Sequence, residues 1–334
     1  MTLLPLSVPG VRLFEQNIGL GILIIAIASF AFASGATIQH LAVGRTVTAG
    51  AENRSMGLRQ LLSLLVNPRW LLGLGVVALG ASMHIVALMM APVTVVQPVG
   101  ILAVPWSVLL AAKIHGFKPN RQIWAAVVLT IVGIVVFTLI SARYAAPVVS
   151  LPPTMILVFC VAVYLIGAGL GLVGRFGPAR LRCLAWATGG SFFYGLSSAL
   201  VKTTTELLAA GDYLHSPLFW VVVSFLLCSY LMGGWMVQQG YANGPAEIVV
   251  GSMTTTDPIV GVTFGMVVLG EGALLTLGPS LGMLVSGAVA ISGVVLLSRY
   301  HPESAKYLTP SSADGADGSS SVDAAPVAED PVSA

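Results

Sequence analysis

The chain has 334 residues, of which 56% are apolar and only 8% charged, with a mean hydropathy of +0.93 and a formal net charge of +2. A water-soluble domain needs a charged and polar surface around its core, so this composition excludes one of ordinary proportions and points to a polytopic membrane protein. A balance of +2 is no nucleic-acid footprint, and no nucleic-acid partner is expected.

A helix needs about 20 predominantly apolar residues to cross the hydrocarbon layer. Nine such stretches follow one another, numbered here as segments 1 to 9: 18–43, 70–91, 93–112, 122–140, 154–173, 184–208, 218–241, 246–268 and 275–298. The expected fold is therefore all-α, with nine transmembrane helices and short connections. Segment 1 lacks a basic region before it and a small-residue cleavage site after it, so it reads as a retained helix with 1–17 as an extracytoplasmic segment. Cys160, Cys183 and Cys228 fall in segment 5, a basic connection and segment 7, and form no disulfide or metal pattern. Gly73, Gly75 and Gly80 in segment 2 and Gly167, Gly169 and Gly171 in segment 5 are expected to let helices approach closely. After Tyr307 the chain turns to Ser, Ala, Asp, Gly and Pro, with Asp314, Asp317, Asp323, Glu329 and Asp330, which predicts a disordered tail over 303–334.

Basic residues orient the nine segments. One side collects Arg45, Arg54, Arg59, Arg69, Lys113, Lys118, Arg121, Arg175, Arg180, Arg182, Arg299 and Lys306, the other only Arg12 and Arg143. Positive charge stays inside, so the C-terminus is expected in the cytoplasm and the N-terminus outside a cell membrane.

Two of the segments echo each other. Segment 3 opens at Ala91-Pro92-Val93-Thr94 and reaches Pro105; segment 8 opens at Gly244-Pro245-Ala246-Glu247 and reaches Pro258. Segment 4 carries Thr130-Ile131-Val132-Gly133-Ile134-Val135-Val136, like Ala290-Ile291-Ser292-Gly293-Val294-Val295-Leu296 in segment 9, and Phe30-Ala31-Phe32 in segment 1 resembles Phe192-Phe193-Tyr194 in segment 6. Segments 1–4 (18–140) thus correspond to segments 6–9 (184–298), with segment 5 (154–173) linking them. Equivalent segments lie five apart, an odd number, so the second copy is inverted relative to the first, as in many alternating-access carriers.

Gly35-Ala36-Thr37-Ile38-Gln39-His40, then Ala87 to Gly100 with its Pro92 and Gln97-Pro98, and late Asp257-Pro258 and Leu269-Gly270-Glu271, resemble the drug/metabolite transporter superfamily. Nine helices with an outside N-terminus look most like its EamA/NIPA-like branch, which includes NIPA-type magnesium transporters and uncharacterised actinobacterial integral membrane proteins. The resemblance covers about residues 18–298 and implies a fold rather than a substrate. One departure is that segment 3 ends Lys113-Ile114-His115-Gly116, without the glutamate that many members carry there.

Polar residues inside the bilayer are the candidates for a site. Asp257 lies about ten residues into segment 8, near the midplane, where an ionised carboxylate costs about 2.5–3.5 kcal/mol and must find a partner or water. Pro258 leaves the Thr254 carbonyl without a helical donor, and with Thr254, Thr255 and Thr256 this suggests an oxygen-rich cluster. In segment 3, Pro98 and Pro105 should free the carbonyls of Thr94 and Ile101, and Gln97 adds an amide. Pro98, Pro105 and Pro258 are therefore expected helix breaks. His84 in segment 2 could carry a proton or bond a ligand. Asp257, Thr254, Thr256, Gln97 and His84 form the candidate substrate or coupling-ion site, with Asp257 the metal ligand if a cation is carried; each also has a plain packing reading.

Lys202 and Glu206, four apart, read as a local ion pair or a lysine reaching for water. Glu247 opens segment 8, where a helix dipole favours a carboxylate. These three are also the candidate gate. Glu271, after segment 8, reads as a solvated terminus.

No Gly-Lys-Ser/Thr phosphate loop, zinc spacing or nucleophile–base pair is present, so neither enzyme nor cofactor is expected. The leading expectation is a secondary carrier of a small organic metabolite or drug, coupled to protons and not driven by ATP, working by alternating access. The alternatives are a magnesium or other divalent-cation transporter of the NIPA type, and a non-transporting accessory membrane protein. Expected partners are the small-molecule or ion substrate, the lipid bilayer and, as a candidate, a second copy of the chain.

Overall fold

A computed structural model of the protein describes residues 16–47, 66–116, 118–148, 150–211, 213–244 and 246–300. Within them lie ten α-helices: α1 (Ile18–Val47), α2 (Pro68–Met90), α3 (Val93–Gly100), α4 (Ala103–His115), α5 (Arg121–Tyr144), α6 (Pro153–Phe176), α7 (Ala179–Ala209), α8 (Pro217–Asn243), α9 (Ala246–Val267) and α10 (Leu277–Tyr300). A 3-10 turn at Tyr213–His215 joins α7 to α8, and no strand occurs among the described residues. The expected tail 303–334, residues 1–15 of the N-terminal segment, and Arg12, Arg54, Arg59 and Lys306 lie outside the described residues.

Local chemistry fixes the helix ends. Asn67 accepts from the N–H groups of Arg69 at 3.0 Å and Trp70 at 3.4 Å, and Pro68 supplies a first position that needs no N–H. Asn120 caps α5 through Ile123 N–H at 2.8 Å. Gly116, at φ 68°, ends α4 in the left-handed conformation that side chains disfavour.

Among the described residues, seven passages are long and apolar enough to cross a membrane: Ile18–Gln39, Pro68–Met90, Val93–Ile114, Arg121–Tyr144, Pro153–Phe176, Pro217–Asn243 and Leu277–Leu297. Side chains that a water-soluble protein would bury stand exposed on them, including Leu165 at 70%, Leu231 at 72% and Leu284 at 70%, so the outer faces suit lipid rather than water. The two remaining long helices are α7 and α9. α7 packs against α8, α9, α6, α2 and α3, and a helix surrounded by protein needs less apolar surface than one facing lipid. Cys183, expected in a loop, is buried inside α7, because that helix already begins at Ala179.

The largest helix contacts join α1 to α2, α7 to α8 and α5 to α10. Each is made by glycines that let backbones touch. A Cβ on Gly35 would stand 2.8 Å from the Gly73 carbonyl oxygen, and one on Gly190 would stand 3.0 Å from that of Gly233. Of the glycines singled out in segments 2 and 5, Gly73 and Gly80 make such approaches, Gly167 makes room for the Phe193 ring, Gly171 is in ordinary contact with Met236 and Trp186, and Gly75 and Gly169 meet nothing within 4 Å.

Segment 3 is broken into α3 and α4, but at Ile101-Leu102 rather than at a proline. Pro98 sits within α3. Pro105 is the third residue of α4, in the first turn where no intrahelical N–H is required, and the Ile101 carbonyl accepts from Val104 N–H at 3.0 Å instead of standing free. The break expected at Pro258 does not occur, since α9 runs through it from Ala246 to Val267. Proline removes one hydrogen bond there, and Gly195 lets α7 brace the same stretch: a Cβ on it would lie 2.6 Å from the Asp257 carbonyl oxygen.

Candidate functional site

The half-helix α3 is buried from Val93 to Val99 and lies on α9. Gln97, the residue before Pro98, is 3% exposed and packs on Gly261, where a Cβ would come within 2.6 Å of its Nε2. That Nε2 is buried without a hydrogen-bond partner. On the facing helix, the residue before Pro258 is Asp257, half-buried, with its Oδ1 also sealed from solvent and unpartnered. Asp257 and Gly261 are four apart on α9 and so share a face, which puts Gln97 against α9 one turn along from Asp257. A buried amide donor and a buried carboxylate acceptor, both unmet, thus stand on one face of the contact between the proline-bearing helices. Unsatisfied buried polar atoms are costly, at about 1–3 kcal/mol each, and call for an explanation.

Tyr194 of α7 and Tyr230 of α8 have ring centroids 6.2 Å apart. The threonines contribute less than expected. Thr254 Oγ1 donates to the Val250 carbonyl at 2.8 Å and Thr255 Oγ1 to that of Gly251 at 2.8 Å, so their protons are spent within α9. Successive residues on a helix turn about 100° apart, so Thr255 and Thr256 do not share the Asp257 face, while Thr254, three residues away, does. The three hydroxyls therefore do not gather around the carboxylate. His84 packs edge-on against Phe32 of α1 at 6.2 Å, its Nε2 buried and unpartnered, and no hydrogen bond joins it to Gln97 or Asp257. Among the described residues no three His, Cys, Asp or Glu side chains come together as a metal-binding group.

A second cluster holds the turn between α2 and α3. Glu271 is 1% exposed; its Oε1 accepts from Val93 N–H and its Oε2 from Thr94 N–H, both at 2.9 Å. It thus caps the N-terminus of α3, where unpaired N–H groups and the helix dipole favour an anion. Burial holds the pKa of this carboxyl above the usual carboxylate range, and the Thr94 and Val93 amides offset only part of that rise. Lys202 is also 1% exposed, donates to the Leu88 carbonyl at 2.8 Å in the last turn of α2, and pairs with Glu206 at 3.0 Å. The expected ion pair is present, but the lysine does not reach for water: its charge is held inside. Glu247 belongs to α9, and its side chain lies outside what the structure describes.

The chain is 25% identical over 284 residues to an uncharacterized protein of Corynebacterium glutamicum, an alignment covering 84% of this chain and 95% of that one. No family model matches. No solved structure matches. This is a helical membrane protein with a relative of the same extent.

Glu271 is the residue that the sequence misplaced. Its signal was present in Leu269-Gly270-Glu271, but a glutamate in a connection reads as solvated unless the partner is known. Its partners are backbone amides 177 and 178 residues away, which leave no mark on local sequence.

Proposed function

We propose that the protein is a secondary transporter of the cell membrane that moves a small solute by alternating access, with its binding site between Gln97 and Asp257. The observation carrying this is the pair of unmet polar atoms, Gln97 Nε2 and Asp257 Oδ1, each beside a proline on one of two facing helices. A solute that offers an acceptor to the amide and a donor or cationic group to the carboxylate satisfies both. That chemistry favours a small organic molecule, with the proton as coupling ion at Asp257.

On this reading the nine long passages all cross the bilayer, with α3 and α4 as one interrupted crossing, and form two inverted four-helix repeats. The helix contacts support it because they recur in matched sets. α1 packs on α2 as α7 does on α8, α1 on α3 and α4 as α7 does on α9, and α3 on α5 as α9 does on α10. The glycine contacts match Gly35 with Gly190 and Gly73 with Gly233: Gly35 meets Gly73 and Val77, and Gly190 meets Gly233 and Val237, the valine lying four residues beyond the glycine in each case. This register differs from the aromatic echo of Phe30–Phe32 with Phe192–Tyr194. The distribution of basic residues supports an outside N-terminus and a cytoplasmic C-terminus, which puts Glu271 on the outside. Membership of the drug/metabolite transporter superfamily, in its EamA/NIPA-like branch, is part of the proposal.

The test is solute movement into proteoliposomes holding the purified chain, wild type against Asp257→Asn, with and without an imposed pH gradient, using labelled amino acids, organic amines and magnesium as probes. Saturable entry of an organic probe that the substitution abolishes supports the reading. Entry of magnesium alone would shift it to the divalent-cation alternative. No probe entering above empty liposomes, with folded protein present, would leave the accessory-protein alternative.

A further inference from the structure

The turn between α2 and α3 is held from both sides by charges of the second half of the chain. Lys202 takes the carbonyl of Leu88 at the end of α2, and Glu271 takes the first amides of α3. We propose that Glu271, backed by Lys202, is a latch that keeps the half-helix α3 seated on α9, and that its release opens the solute path at that end. The proposal deepens the transport reading given above and rests on it.

α3 is built to move as a unit. It has eight residues, with non-helical backbone at Ala91-Pro92 before it and the Ile101-Leu102 turn after it, so it can pivot without unwinding α2 or α4. It carries Gln97 one turn beyond the latched amides, so any movement of its N-terminus moves the candidate site. The amides of Val93 and Thr94 have no partner within their helix and cannot remain buried without one. Two environments satisfy them: the Glu271 carboxylate, or water once that end is open. This gives α3 two satisfied positions and makes the intermediate ones costly, as a gate requires.

The surroundings fix everything but the carboxylate arm. Glu271 N–H donates to the Gly265 carbonyl at 2.9 Å and its own carbonyl accepts from Ala146 N–H at 2.8 Å, so the backbone is pinned to α9 and to the end of α5. Gly265 leaves room for the carboxylate: a Cβ there would stand 2.8 Å from Oε2 and 3.3 Å from Thr94 Cγ2. Lys202, paired with Glu206, holds the other side of the turn through the Leu88 carbonyl. Glu271 is a positioning residue in this account; it need never touch the solute.

The test reads access rather than transport. In a chain with Cys160, Cys183 and Cys228 changed to alanine, a Gln97→Cys reporter is labelled with a membrane-impermeant maleimide applied from the Glu271 side. With the latch intact, labelling is expected to be slow. Glu271→Gln, which keeps an acceptor for one α3 amide but turns amide hydrogens toward the other, and Gly265→Ala, which displaces the carboxylate while keeping every charge, should each speed it on the order of tenfold, the scale of a lost hydrogen bond to a charged group. Should Glu271→Gln fail to fold, Gly265→Ala carries the test alone. Unchanged labelling in folded variants would make Glu271 a fixed brace and overturn the proposal, as would rapid labelling with the latch intact. Faster labelling in the variants, with no solute moved by the wild type, would keep the latch and remove the transport reading.

Discussion

Gly133 of α5 and Gly293 of α10 make the same contact from opposite sides. A Cβ on Gly133 would lie 2.8 Å from the Ser286 carbonyl oxygen, and one on Gly293 would lie 2.9 Å from that of Ala126. Gly133 also faces Ala290, and Gly293 faces Thr130. Thr130 and Ala290 open the Thr130–Val136 and Ala290–Leu296 echo, and Ala126 and Ser286 lie four residues before each, so the sequence likeness of the two helices is also the likeness of their contact surfaces.

Gly133→Ala and Gly293→Ala should therefore cost similar amounts, about 1–3 kcal/mol each, because either methyl group would be driven into backbone. Gly75→Ala, with nothing within 4 Å of its Cβ position, should be nearly neutral. Thermal unfolding of the three variants in detergent measures this; unequal effects at the two matched glycines would count against equivalent contacts.

Asp257→Asn should abolish uptake while leaving stability equal or raised. The substitution removes an ionisable group whose buried Oδ1 has no partner in the fold, so the folded state loses no hydrogen bond there. Uptake and melting temperature measured on one preparation decide it. A clear drop in melting temperature would assign Asp257 to packing.

Thr254→Val should weaken uptake less than about tenfold, the scale of one neutral hydrogen bond. Its hydroxyl proton already serves the Val250 carbonyl, so a solute gains little from it. Concentration dependence of uptake would reveal a larger role as a steep loss of apparent affinity.

Lys202→Met should destabilise strongly, by about 3–5 kcal/mol, the usual scale for removing one member of a buried pair. It strands the Leu88 carbonyl and leaves Glu206 unpaired. Glu206→Gln should cost less, because the glutamine carbonyl oxygen can still accept from the buried Lys202 ammonium, which keeps its bond to the Leu88 carbonyl. Denaturant unfolding of both variants and the double substitution checks the ordering, and the double should recover part of the Lys202→Met loss.

Sequence by itself determined the class of the molecule, the places of its long helices and the candidate residues Gln97 and Asp257, because these follow from lengths of apolar chain and from polar residues set in it. The helix ends written in Asn67, Asn120 and Gly116 were local as well. Tertiary structure alone decided where the chain breaks, at Ile101-Leu102 instead of at Pro258, since a proline removes one bond and its neighbours settle whether the helix bends. It also moved Glu271 from solvent to the N-terminus of α3 and turned Lys202 inward. A charge is legible in sequence, but whether it is buried depends on who meets it, and here the partners are backbone groups more than a hundred residues away.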